Sequence, residues 1–257
     1  MGMGAEERTD AGGCARQWQC CLVASLLALL LFGTTGCARH QSNASFISNV
    51  SSVKPTELFQ TPSDRLATLA MRNNLNALYR LMDKLYQRNP REWRKTGLDN
   101  RHVAARAVQV AIEAGQPLAN LGGRKDIDAL GYALGPTFEG DRVGAFIYAI
   151  GSMLVTAHGG RTEFYLTDLI EAQFVHNAAR NIEKATWMLA SRQGLDGKPL
   201  LLSNEISEEA RNLSFAVEFG KIVARLDLLT NVLDERYRRI GVSYAHSLLF
   251  INFLPVQ

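Results

Sequence analysis

Helical periodicity in two long segments constrains the fold of this chain most strongly. In residues 162–193 and 207–240, apolar side chains recur at steps of three and four residues, with polar residues between them. This spacing gathers the apolar side chains on one face of a helix, and about 30 residues is long for a helix of a globular protein. A turn at Asp196–Gly197 separates the segments, which favours an antiparallel pair. We therefore predict an all-α fold, a helical bundle that contains two long helices.

Shorter helices are predicted before this pair. Ser63 is a candidate N-cap for a helix of about 25 residues that ends at Asn89–Pro90. Asn100 can cap a second helix, which ends near Gly115, and a short helix is predicted from Asp126 to Leu134. The apolar face of the helix after Asn100 consists of Val103, Ala107, Val110 and Ala111.

The segment Val143–Ala157 is uncharged and is the most apolar part of the chain after residue 63. A helix needs about 20 apolar residues to cross the hydrocarbon core of a bilayer, and this segment is shorter. We predict that it forms a buried core helix. Insertion into a membrane is the alternative, because small residues are spaced along it in a way that allows close helix packing.

A second apolar run, Cys20–Phe32, lies near the start of the chain and has the length of a signal-peptide core. Glycine and threonine follow it, and then Cys37. The cysteines of the chain are confined to this region, at positions 14, 20, 21 and 37. The 220 residues after Cys37 therefore offer no disulfide and no cysteine ligand for a metal.

The sequence Gly36–Cys37 after such a core resembles the lipobox of bacterial lipoproteins. This resemblance covers residues 16–37 and implies that residues 1–36 are a cleaved signal peptide and that Cys37 carries diacylglycerol and an N-linked acyl chain such as palmitate. The residue after the cysteine is Ala38 and not the Asp that retains lipoproteins in the inner membrane. The resemblance therefore implies an outer-membrane anchor with the protein facing the periplasm.

Two features depart from the lipobox pattern and leave alternatives open. Thr34 stands where the pattern usually has leucine, and the segment before Arg16 is acidic where a basic one is expected. One alternative is an uncleaved anchor in the inner membrane through residues 20–32, and another is a soluble secreted product. Residues 37–63 are rich in Ser and Asn, which predicts a flexible tether. Residues 64–257 are then the predicted α-helical domain.

Charge and motifs exclude several classes of function. The net charge is +3, and basic residues alternate with acidic ones, so we expect no nucleic-acid partner. The sequence lacks the common zinc, phosphate-loop and nucleophile motifs, so we expect no cofactor and no metal site. No catalytic residue is identified.

The polar residues that most resemble a ligand site are His158, His176 and Arg180, which helix packing could bring into one pocket. Our leading hypothesis is a non-catalytic lipoprotein whose helical domain binds an envelope protein or supports envelope assembly, with membrane lipid held through Cys37. Self-association into a homo-oligomer is compatible with it. The alternatives are a periplasmic enzyme or small-ligand binder, and a component that inserts Val143–Ala157 into the membrane.

Overall fold

A computed structural model describes residues 60–165, 168–207 and 211–251 of the chain. These residues form seven helices and two short strands, and the predicted all-α bundle is confirmed. The helices are α1 (Pro62–Arg88), α2 (Pro90–Arg94), α3 (Arg101–Glu113), α4 (Asp126–Ala133), α5 (Arg142–Ala157), α6 (Ala172–Ser191) and α7 (Ser214–Ile251). The predictions for the signal peptide, Cys37 and the tether before residue 60 lie outside the described residues.

Four of the helices, α1, α5, α6 and α7, pack as an antiparallel ring in up-down-up-down order. The register of α1 against α7 is given by two polar contacts near opposite ends. Asp64 Oδ1 lies 3.4 Å from Arg236 Nη1, and Arg80 Nη2 lies 3.4 Å from Glu218 Oε2. Since the numbers rise along one helix while they fall along the other, the two helices run in opposite directions.

The predicted antiparallel pair is the α6–α7 hairpin. Arg180 Nη2 donates to Asp227 Oδ1 at 2.6 Å, and Tyr237 Oη donates to the carbonyl of Ile170, just before α6, at 3.3 Å. The chain between the two helices contains strands β1 (Glu205–Ile206) and β2 (Arg211–Asn212), which pair antiparallel.

Helix α5 lies at the centre of the domain, and the prediction of a buried core helix is confirmed. Every residue of α5 except Thr156 is buried. Helices α1, α6 and the inserted α3 and α4 all contact it. Gly151 permits the close approach of α3, because a β-carbon added there would lie 2.5 Å from Cδ1 of Ile112. Among the described residues, no helix is both long and apolar enough to cross a membrane.

The predicted start of the first long helix is wrong by ten residues. Residues 161–165 and 168–171 are not helical, and α6 begins at Ala172. The reason is tertiary. Phe164 is buried, its N–H donates to Thr68 Oγ1 at 3.1 Å, and its carbonyl accepts from Gln60 Nε2 at 2.7 Å. In a helix beginning at residue 162 the Phe164 carbonyl would accept from the N–H four residues later, whereas here it accepts from Gln60, so these tertiary contacts keep the segment out of a helix.

The second long helix is also shifted, from the predicted 207–240 to Ser214–Ile251. Its start is delayed because residues 211–212 pair with β1, and Asn212 Oδ1 then accepts from Ser214 N at 3.1 Å. Its end is later because Gly241 does not stop the helix: its φ is not in the left-handed region, and a β-carbon added there would meet nothing within 4 Å. At the other predicted caps, Asn100 accepts from two backbone N–H groups as expected, whereas Thr61 and not Ser63 caps α1.

Candidate functional site

His158, the first residue of the predicted ligand site, is buried at the C-terminal end of α5. It is 1% exposed, its Nδ1 lies 2.8 Å from the carbonyl oxygen of Leu154, and its ring stacks obliquely against Phe164. Its Nε2 is buried without a hydrogen-bond partner. Burial lowers the pKa of His158 from 6.5 to about 4, against the Leu154 carbonyl, which raises it. His158 is therefore neutral at pH 7 and presents almost no surface to a ligand.

His176 and Arg180 lie one turn apart on the exposed side of α6. Arg180 forms ion pairs with Asp227 of α7 and, at 3.0 Å, with Glu183 of its own helix. Both side chains lie on a solvated face of α6, and Arg180 links this face to α7 through Asp227. Because His158 is buried while the other two are on the surface, the structure does not bring the three predicted residues together in one open pocket.

A buried polar cluster that sequence reasoning missed lies where α5 begins, and we call it the Asp141 cluster. The Asp141 carboxylate accepts from Gly144 N at 3.0 Å and from Tyr86 Oη at 2.5 Å. Burial raises the pKa of Asp141, whereas these two hydrogen bonds lower it. The residue is the N-cap of α5, and an acid three residues before Gly144 and an apolar run is the signal that could have identified it.

Arg142 completes the Asp141 cluster and binds the loop after α4. Its guanidinium donates to the carbonyl oxygens of Ala133, Gly135 and Phe138 at 2.6–2.8 Å. The Arg142 side chain is engaged by backbone carbonyl groups, and both Arg142 and Asp141 are buried. The cluster therefore closes the end of the bundle and does not have the exposed acid, base or nucleophile that catalysis requires.

A wide, mostly apolar concave surface lies along α3, and we define the α3 groove by Val103, Ala107, Val110, Pro117 and Leu118. Its volume is about 850 Å³, and Val103 and Val110 are 42% and 44% exposed. The predicted apolar face of this helix is thus mostly on the outside. The buried face consists of Ala104, Val108, Ala111 and Ile112.

Helix α3 is therefore apolar on two sides. A surface helix needs only one apolar face to pack onto its own domain, so the outer face of α3 is apolar surface that the domain does not use. His102, Arg106 and Gln116 border the α3 groove and supply polar groups around its apolar centre. An apolar centre with a polar border is the arrangement of a protein-binding surface.

A smaller cleft lies between α4, α5 and α6. It is lined by Phe174, Asn177, Asn181, Asp126 and Thr156, among others, and has a volume of about 200 Å³. Pockets that enclose small-molecule ligands are usually about 300 Å³ or larger. Within the described ranges, no group of three or more His, Cys, Asp and Glu residues is arranged to hold a metal ion.

Comparison with known proteins gave no match: no family model, no curated protein and no solved structure is detectably similar to the chain.

Proposed function

We propose that this chain is a lipoprotein, anchored through Cys37 to the periplasmic face of the outer membrane, whose helical domain binds another envelope protein through the α3 groove. The observation that carries the binding role is the exposed second apolar face of α3. The anchor is supported by the apolar run, Gly36–Cys37 and Ala38.

The partner class follows from the surface. The α3 groove is open and elongated along a helix of 13 residues, and it is lined mostly by aliphatic groups. An apolar segment of a protein, such as one face of an amphipathic helix, matches this length and chemistry. Membrane insertion of α5 has no such support, because its apolar side chains are already packed inside the domain.

The anchor is tested by mass spectrometry of the mature N-terminus, with Cys37→Ala as the control. We expect a mature chain that begins at a lipid-modified Cys37 and fractionates with the outer membrane. In the Cys37→Ala variant the precursor should persist. A wild-type chain that still begins upstream of Cys37 would contradict the anchor and favour the uncleaved inner-membrane alternative.

The binding role is tested with a photo-crosslinking amino acid at position 107, in the centre of the α3 groove, and a control probe at the exposed Lys184 of α6. We expect a discrete crosslinked protein from position 107 alone. Val110→Asp should abolish this crosslink, whereas Leu195→Asp, at a residue that is 96% exposed, should leave it unchanged. Equal crosslinking from positions 107 and 184 would refute the α3 groove as the binding surface, and a crosslink to a second copy would identify self-association.

A further inference from the structure

Helix α7 continues well beyond the helices on which it packs. Its last buried side chain among those described is Leu233, and every residue from Tyr237 to His246 is exposed. The helix nevertheless extends to Ile251. We call Tyr237–Ile251 the α7 arm; at 1.5 Å per residue it is about 22 Å long.

The α7 arm presents apolar side chains to solvent. Tyr237, Ile240 and Tyr244 are 46%, 57% and 68% exposed and follow one another at steps of three and four residues. Apolar side chains on a helix usually pack against the core of their own domain. These side chains lie on a part of α7 that extends past the bundle, so the domain does not cover them.

The charge of the α7 arm is positive. From Tyr237 to Ile251 the sequence has two arginines, Arg238 and Arg239, and no aspartate or glutamate. Arg238 and Arg239 both bind the carboxylate of Glu235, at 2.7 and 2.8 Å, and their side chains are 66% and 77% exposed. The arm itself has no carboxylate to balance these two arginines, and its excess of positive charge favours an anionic surface as the partner.

The α7 arm projects from the end of the domain at which α1 begins. The Arg236–Asp64 ion pair places the base of the arm beside the first turn of α1. The chain therefore enters the domain at the same end from which the arm projects, and Cys37 lies only 23 residues before Gln60. A membrane that holds Cys37 is thus within reach of the end of the domain that carries the arm.

We propose that the α7 arm is an interfacial helix that lies on the membrane surface with the side of Ile240 and Tyr244 in the lipid. This inference rests on the proposed anchoring through Cys37. It adds a second, non-covalent attachment, which fixes the orientation of the domain relative to the bilayer. Short helices with an apolar side and arginines beside it bind phospholipid surfaces in this way.

The test measures depth in the bilayer with a fluorophore on a single cysteine. Residues 38–257 contain no cysteine, so Tyr244→Cys gives the mature lipidated protein one reactive thiol. Val217→Cys is the matched control, since Val217 is 54% exposed on the bundled part of the same helix. Both labelled proteins are reconstituted in vesicles of phosphatidylethanolamine and phosphatidylglycerol, with and without a lipid-borne quencher.

We expect a blue-shifted emission and quenching by the lipid-borne quencher at position 244 but not at position 217. Ile240→Asp, at an exposed position, should reduce the quenched fraction at 244 on the order of tenfold, because it removes one buried aliphatic side chain and adds a charge. Its helix content and unfolding transition should match those of the parent protein.

A label at 244 that stays in water, on protein with confirmed lipid at Cys37, would overturn the inference. A blue shift without lipid quenching, increasing with protein concentration, would also overturn it and identify a second copy as the partner of the α7 arm. An unmodified Cys37 in mass spectrometry refutes the covalent anchor separately; the cysteines before residue 38 are then replaced by alanine, so that the label at 244 still decides whether the arm contacts lipid.

Discussion

The buried imidazole of His158 predicts that the domain loses stability in mild acid. In the unfolded chain this group binds a proton with a pKa of 6.5, whereas burial lowers the pKa to about 4 in the folded protein. Between these two values the unfolded state binds more protons, so the free energy of unfolding falls as the pH falls. Each pKa unit corresponds to roughly 1.4 kcal/mol, and integration from pH 7 to pH 5 gives a loss of about 2 kcal/mol from this one residue.

The assay is urea unfolding of the purified protein, followed by circular dichroism at several pH values between 5 and 7. His158→Gln is the matched variant, because its amide can still donate to the Leu154 carbonyl but does not titrate. Asp141 contributes in the opposite direction, since its raised pKa makes the folded state take up protons as the pH falls. That contribution is common to both proteins and cancels in their difference.

The stability difference between wild type and His158→Gln should therefore change by about 2 kcal/mol in favour of the variant between pH 7 and pH 5. A difference that does not vary with pH would refute the assignment of a buried neutral imidazole. A change of the opposite sign would mean that the folded protein stabilises the protonated ring.

Three further predictions concern packing and hydrogen bonds. Gly151→Ala should lower the free energy of unfolding by about 1–3 kcal/mol, because the added β-carbon meets Ile112. Gly220→Ala, which has open space around the added β-carbon, should raise the free energy of unfolding by about 1 kcal/mol. Chemical unfolding of both variants tests this difference, and equal effects would contradict the close contact at Gly151. Arg142→Met should lower the free energy of unfolding by about 3 kcal/mol or more, since it removes the guanidinium donor from three carbonyl oxygens, of which only that of Gly135 keeps another donor, Phe138 N; an unchanged urea midpoint would show that these bonds are dispensable. Asn100→Ala should cost about 1 kcal/mol through the loss of an N-cap, with faster amide exchange in the first turn of α3, and unaltered exchange there would contradict the capping role.

The sequence predicts the helices of this domain well because their apolar periodicity is local. It fails at residues 162–171 because the conformation there depends on Phe164, which is held by Thr68 and Gln60 from nearly 100 residues earlier in the chain. Helix propensity depends on the local sequence and does not detect such a long-range contact. The predicted start of α7 is wrong for the same kind of reason, since residues 211–212 pair with β1 as a strand.

At the candidate site, sequence-based prediction is limited for a different reason. Helix α3 has apolar residues on two sides, and periodicity alone does not say which side faces the core; the side with Val103 and Val110 is outside. Likewise, His158 is buried at a helix end and His176 is in solvent, and the sequence pattern does not give the burial of either side chain. Side-chain burial is a property of the assembled bundle and had to come from the structure.

The distribution of polar and apolar groups indicates where recognition takes place in this domain. The buried ionisable groups are engaged by the fold, since Asp141 holds the start of α5 and Arg142 holds the loop after α4. Exposed apolar groups are not engaged by it, and the outer side of α3 and the α7 arm each carry several of them. Retaining exposed valine, isoleucine and tyrosine at both places promotes aggregation unless something covers them. Two different coverings, a protein segment for α3 and a lipid surface for the positively charged α7 arm, account for both surfaces, and the Val110→Asp and Ile240→Asp variants should therefore fail in separate assays.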